Sequence, residues 1–71
     1  MEMYRRMAQE LARTGKTTSE LAKLCGVTKL TARNWLKGKT MPQAESFFTL
    51  CKELGLDMNW IILGKKTEGT T

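Results

Sequence analysis

Residues 17–37 read TTSELAKLCGVTKLTARNWLK. Thr17 and Glu20 stand at capping-box spacing, in which a threonine hydroxyl accepts the amide three residues on and the glutamate reaches back to the threonine amide. A helix therefore starts here, with Leu21, Leu24 and Cys25 on its inner face and Ala22 at a close contact. Gly26 stops it by supplying the left-handed backbone that a side chain resists. Val27-Thr28 is a short connector, and Thr28 N-caps a further helix over 29–37 whose inward positions are Ala32, Trp35 and Leu36. Gly38 follows it. The small side chains at Ala22 and Ala32 let the two helices approach closely, Val27 plugs the angle between them, and Trp35 anchors the second helix. Two helices joined by a short Gly-containing turn make a helix-turn-helix.

The flanking sequence supplies the rest of a core. On the N-terminal side, residues 2–13 (EMYRRMAQELAR) place Met3, Met7 and Leu11 on one stripe, with Tyr4 and Ala8 beside it, and Thr14-Gly15 ends that helix. On the C-terminal side, residues 39–42 form a loop, and Pro42 suits a helix start. A fourth helix over 43–54 turns Phe47, Leu50, Cys51 and Leu54 inward, and Gly55 closes it. Asp57 caps a short fifth helix over 58–63, ended by Gly64. No alternating strand pattern and no repeat interrupts this series. The expectation is an all-α fold, a compact five-helix domain over 1–65 whose helices 2 and 3 form the helix-turn-helix, followed by a polar, disordered tail at 66–71.

Charge narrows the partner. The 71 residues carry 12 Lys and Arg against 7 acids, a net charge of +5, and a pI near 9.6. A basic small domain suits a polyanion, either nucleic acid or an acidic membrane surface, although a generally basic surface alone gives the same total. The distribution favours the first. No acid lies between Glu20 and Glu45, a window that holds Lys23, Lys29, Arg33, Lys37 and Lys39.

Other classes find little support. No apolar run approaches the roughly 20 residues of a membrane span, and no secretory pattern opens the chain. The expected location is the cytoplasm of a bacterium or of a phage's host. There is no histidine, and Cys25 and Cys51 form no CxxC pair, so no metal site or cofactor is expected. Both cysteines read as reduced, structural thiols. With no paired carboxylates in one motif and little room for a pocket, neither an enzyme nor a small-molecule substrate is expected.

The run LAKLCGVTKLTARNWLKGKTMP, with LGLDMNWIILGKK near the C-terminus, resembles the lambda-repressor-like group of phage repressors, Cro-type regulators and their bacterial relatives, the XRE family. The likeness extends from Met3 to about Lys65. Two positions depart from the pattern: Thr18 stands where the family often has Gln, and Leu36 where it often has an acid. The resemblance implies a sequence-specific regulator of transcription that binds double-stranded DNA at a two-fold symmetric operator. Within that class the resemblance points first to a phage or prophage repressor or Cro-like protein. An antitoxin-type repressor, a restriction-modification controller and the N-terminal domain of a longer repressor are the alternatives, and a protein-interaction module without DNA readout is the alternative outside it.

In such motifs the second helix enters the major groove and its outward residues meet base edges. With Ala32, Trp35 and Leu36 inward, the outward set is Lys29, Leu30, Arg33, Asn34 and Lys37. Arg33 suits guanine O6 and N7, Asn34 suits adenine, and Lys29 suits a guanine or a phosphate. Leu30 either packs on a thymine methyl or is half-buried. Phosphate contacts are expected from Thr18 and Ser19 at a helix N-terminus, and from Thr28, Lys37, Lys39 and Thr40. Lys23 solvates its helix, while Arg5, Arg6 and Arg13 either approach the DNA backbone or stay solvated. Trp60 and Ile61 either complete the core or pair with a second copy, since the family commonly binds as homodimers.

Overall fold

The computed structural model describes residues 2–65, and the tail expected at 66–71 lies outside them. Five helices make up the described fold: α1 (Met3–Thr14), α2 (Thr18–Cys25), α3 (Lys29–Leu36), α4 (Ala44–Leu54) and α5 (Met58–Leu63). No strand occurs among the described residues. This is the expected all-α architecture. α2 packs on α3 and α4, while α1 packs on α3 and α5. No described helix is long and apolar enough to cross a membrane.

The core is drawn from every helix: Met7 and Leu11 of α1, Leu21 and Ala22 of α2, Ala32 and Trp35 of α3, Phe47, Leu50 and Cys51 of α4, and Ile61 of α5, together with Leu56 from the α4–α5 turn. Fully burying a side chain of leucine size is worth about 1.5–3 kcal/mol. In so small a domain these few residues dominate the stability. The apolar stripes are narrower than expected. Met3 and Tyr4 lie exposed at the start of α1, and Leu24 is exposed on α2. In each case the single-helix pattern is right, and no partner helix reaches far enough to cover its edge. Pro42 is buried but stands ahead of α4, not in its first turn: Gln43 is the N-cap and the helix begins at Ala44.

The turn between α2 and α3 depends on Gly26. Its φ is 69°, in the left-handed region, and its amide and that of Val27 both donate to the Ala22 carbonyl. This closes α2 and sets the direction of α3.

A buried carboxylate fastens α1 to the α4–α5 turn. Glu10 is only 3% exposed. Its Oε1 accepts the Asp57 amide at 3.1 Å and Arg13 Nη2 at 2.7 Å, and its Oε2 accepts Arg13 Nε at 3.3 Å. Arg6 makes a second tie: its Nε donates to the Ile61 carbonyl at 2.9 Å and its Nη2 to the Ile62 carbonyl at 3.3 Å, covering the end of α5. Thus Arg6 and Arg13 serve the fold. Cys25 and Cys51 are free thiols, and burial pushes both up from the ordinary thiol value. Replacing Glu10 by Ala removes the carboxylate that accepts the Asp57 amide and releases the Arg13 guanidinium to solvent. We expect a loss of about 1–3 kcal/mol, a fall in Tm of several degrees for a domain this small. Glu53→Ala, at an exposed position, should stay within about 0.5 kcal/mol in the same thermal melts.

Candidate nucleic-acid interface

α3 is built as a helix with two unlike sides. Thr28 caps it: its Oγ1 accepts the Thr31 amide at 3.1 Å and lies 3.0 Å from the Thr31 hydroxyl. Ala32 and Trp35 bury one side. At about 100° per residue, Leu30 and Lys37 fall opposite them, with Arg33 and Asn34 between, so four residues run in file along the outer side. Lys29 lies at the edge of that file. Lys29, Leu30, Arg33 and Lys37 are exposed. Among the described residues, none of Lys23, Lys29, Arg33, Lys37 and Lys39 is in an ion pair. The positive charge of the acid-free window is therefore available to a ligand.

Asn34 is placed differently from its neighbours. It is half-buried and lines a polar cleft with Thr31, Thr40, Gln43 and Ser46, whose apolar wall is Val27, Trp35 and Met41. The backbone turns sharply here. The Gly38 amide donates to Trp35 at 3.1 Å and the Lys39 amide to the Asn34 carbonyl at 3.0 Å. This brings the 39–43 loop back beside α3, so that Thr40 and the start of α4 border the outward file. Lys39 and Thr40 are exposed there.

The N-terminus of α4 borders this surface through Gln43 and Ser46, while that of α2 is closed by its own side chains. The expected capping box of α2 is present, Thr17 Oγ1 accepting the Glu20 amide at 3.1 Å and Glu20 Oε1 accepting the Thr17 amide at 2.8 Å. That backbone bond, with Lys16 adding to it, holds the Glu20 carboxyl below the usual glutamate range. The carboxylate half of the box is thus charged at neutral pH and weakens only as pH falls through that lowered value, while the Thr17 hydroxyl half does not titrate. Thr18 is half-buried and Ser19 exposed in the first turn. The second N-terminus, that of α4, has no side-chain cap. Its first amides remain open to an anion.

Sequence reasoning missed Gln43, Thr31 and Ser46 as members of this surface. The available signal was the short loop after Gly38, which returns the start of α4 to the side of α3. The structure also divides the residues expected at a dimer contact. Ile61 is fully buried in the domain's own core, so it offers no surface to a second copy, and Trp60 is half-buried. The outward apolar side chains of α5 are Ile62 and Leu63. The larger open groove between α2 and the end of α4, floored by Leu24 and Leu54, is rimmed by charges of both signs, Lys16, Lys23, Glu20 and Glu53. It lacks the single sign of charge that a polyanion requires.

A helix-turn-helix family model matches residues 7–61, which includes all of α2, α3 and α4. Comparison with curated proteins and with solved structures finds no match.

The recognition surface can be tested through its cap. Thr28→Ala removes the acceptor for the Thr31 amide and should cost roughly 0.5–2 kcal/mol, whereas Thr28→Ser keeps the hydroxyl and should cost far less. Equilibrium denaturation of the two variants distinguishes them. Equal midpoints for both would show that the cap contributes nothing.

Proposed function

The chain belongs to the lambda-repressor-like helix-turn-helix family and is a DNA-binding regulator, and on that premise we propose that it recognises a specific duplex sequence by laying α3 in the major groove. The observation that carries this reading is the file Leu30, Arg33, Asn34 and Lys37, opposite the buried Ala32 and Trp35 and bearing cations that no acid neutralises. Arg33 addresses guanine, and Asn34, held at the cleft, addresses adenine. Lys29 meets a guanine or a phosphate near the helix tip. Lys37, Lys39, Thr40, Thr18, Ser19 and Thr28 grip phosphates and set the register without reading sequence, joined by the open amides at the start of α4.

One such module meets only a few base pairs, so two copies on a two-fold site give the affinity that specific regulation needs. Half-sites would lie about 34 Å apart, one turn of the duplex. We assign the contact between copies to α5, through Ile62, Leu63 and the exposed part of Trp60. In this reading the protein is a phage or prophage repressor or a Cro-like regulator, acting in the cytoplasm by covering promoter DNA.

Selection from random duplex DNA supplies the site. Affinity for it should fall steeply with salt, and Lys39→Ala should lower the slope of log K against log salt by about one. The double variant Arg33→Ala, Asn34→Ala should lose roughly 1–3 kcal/mol of discrimination per base contact while still melting cooperatively as a folded domain. Equal affinity of the unaltered protein for selected and scrambled duplexes would exclude sequence-specific reading. For the dimer, Leu63→Glu should convert cooperative binding of a two-half-site duplex into two independent steps in a mobility-shift assay, with single-half-site affinity unchanged.

A further inference from the structure

Leu30 contributes nothing visible to the fold. It lies in the first turn of α3 and is 63% exposed, and it belongs neither to the core nor to the side chains packed against it. The alternative of a half-buried leucine is thereby removed. Its surroundings are equally informative. Thr28 and Lys29 precede it, and Arg33, Asn34 and Lys37 follow it along the same side of the helix. A docking site for an apolar protein surface would continue Leu30 with further apolar side chains, yet every other member of this file is polar or cationic. A ligand that matches this file is a polyanion that presents one small apolar group among polar ones. In the major groove of DNA that group is the 5-methyl of a pyrimidine.

We propose that Leu30 is a reader of pyrimidine 5-methyl groups, sensing thymine at one position of the bound site and favouring 5-methylcytosine over cytosine when cytosine stands there. This rests on the reading that α3 occupies the major groove, and it adds a consequence that reading lacks: binding responds to cytosine 5-methylation. The contact needs no hydrogen bond. It removes the methyl group and the leucine side chain from water together, so its effect is about fourfold in affinity per methyl group.

The test uses the full chain and the duplex enriched from a random pool. Each thymine of that duplex is replaced in turn by deoxyuridine, which deletes only the methyl group. One thymine per half-site should lose about fourfold in affinity for the unaltered protein, and Leu30→Ala should bind the thymine and deoxyuridine forms of that position equally. At the same position 5-methylcytosine should bind about fourfold tighter than cytosine, again only when Leu30 is present. Because Leu30 is exposed, Leu30→Ala should melt with the unaltered protein, and matched thermal curves confirm that both are folded. If no deoxyuridine substitution weakens binding, or if Leu30→Ala suffers the same loss, the methyl-reading assignment is overturned while sequence recognition stands. If the pool yields no enriched duplex, the major-groove reading itself fails, and this assignment with it.

Discussion

The close packing of α2 against α3 is the constraint on which the rest of the molecule depends. α3 has 8 residues, too few to hold a helix alone in water, where isolated helices shorter than about 12–15 residues are marginal. Its direction is therefore imposed from outside. Ala22 and Ala32 are both small and both buried, Gly26 turns the chain in a conformation that other residues resist, and Trp35 fills the space behind. A larger side chain at either alanine would have to push the helices apart or leave its rotamer, at a cost of about 1–3 kcal/mol. The outward file of α3 is aimed by these four residues, although none of them belongs to it.

The same economy shows in the polar residues. Among the described residues most cations are in no ion pair, but Arg6 and Arg13 are spent on the fold. Arg6 covers carbonyls at the end of α5, and Arg13 accompanies the buried Glu10. Glu10 would be costly beneath the surface without partners. With the Asp57 amide and Arg13 it becomes a fixed joint between the first helix and the turn that launches the last. Glu10, Glu20 and Asp57 are thus held in hydrogen-bonded joints and caps, while the cations of the acid-free window on α3 face outward.

The sequence shows the elements more clearly than their neighbours. Capping residues and glycines at helix ends give all five helices nearly to the residue, because each is a local device whose geometry is complete within four or five positions. Burial depends on what lies opposite, and there the local pattern overreaches. Leu24 sits on the edge of an apolar stripe that no other helix covers, while Glu10 interrupts a stripe as a charged residue and is nonetheless buried. Ile61 and Ile62 are adjacent and chemically alike, yet one is core and the other surface. Only the packing of α1 on α5 separates them. The candidate site shows the same division. Lys29, Leu30, Arg33 and Lys37 follow from the period of one helix, whereas Gln43 and Ser46 join the surface only because the 39–43 loop folds back.

This separation of scaffold and surface has a consequence for how the domain can vary. Every side chain that aims α3 is on its buried side, and the exposed residues of its outward file have no partner within the fold among the described residues. Exchanges at Leu30, Arg33 and Lys37 therefore fall in the class of surface substitutions, usually within about 0.5 kcal/mol of neutral for stability, while each changes what the helix offers to a base edge. Asn34 differs, since it is half-buried and lines the cleft together with Thr40 and the start of α4. A change there alters both the contact surface and the lining of the cleft. Specificity can shift freely at three positions of the file, whereas the fourth also shapes the cleft beside it.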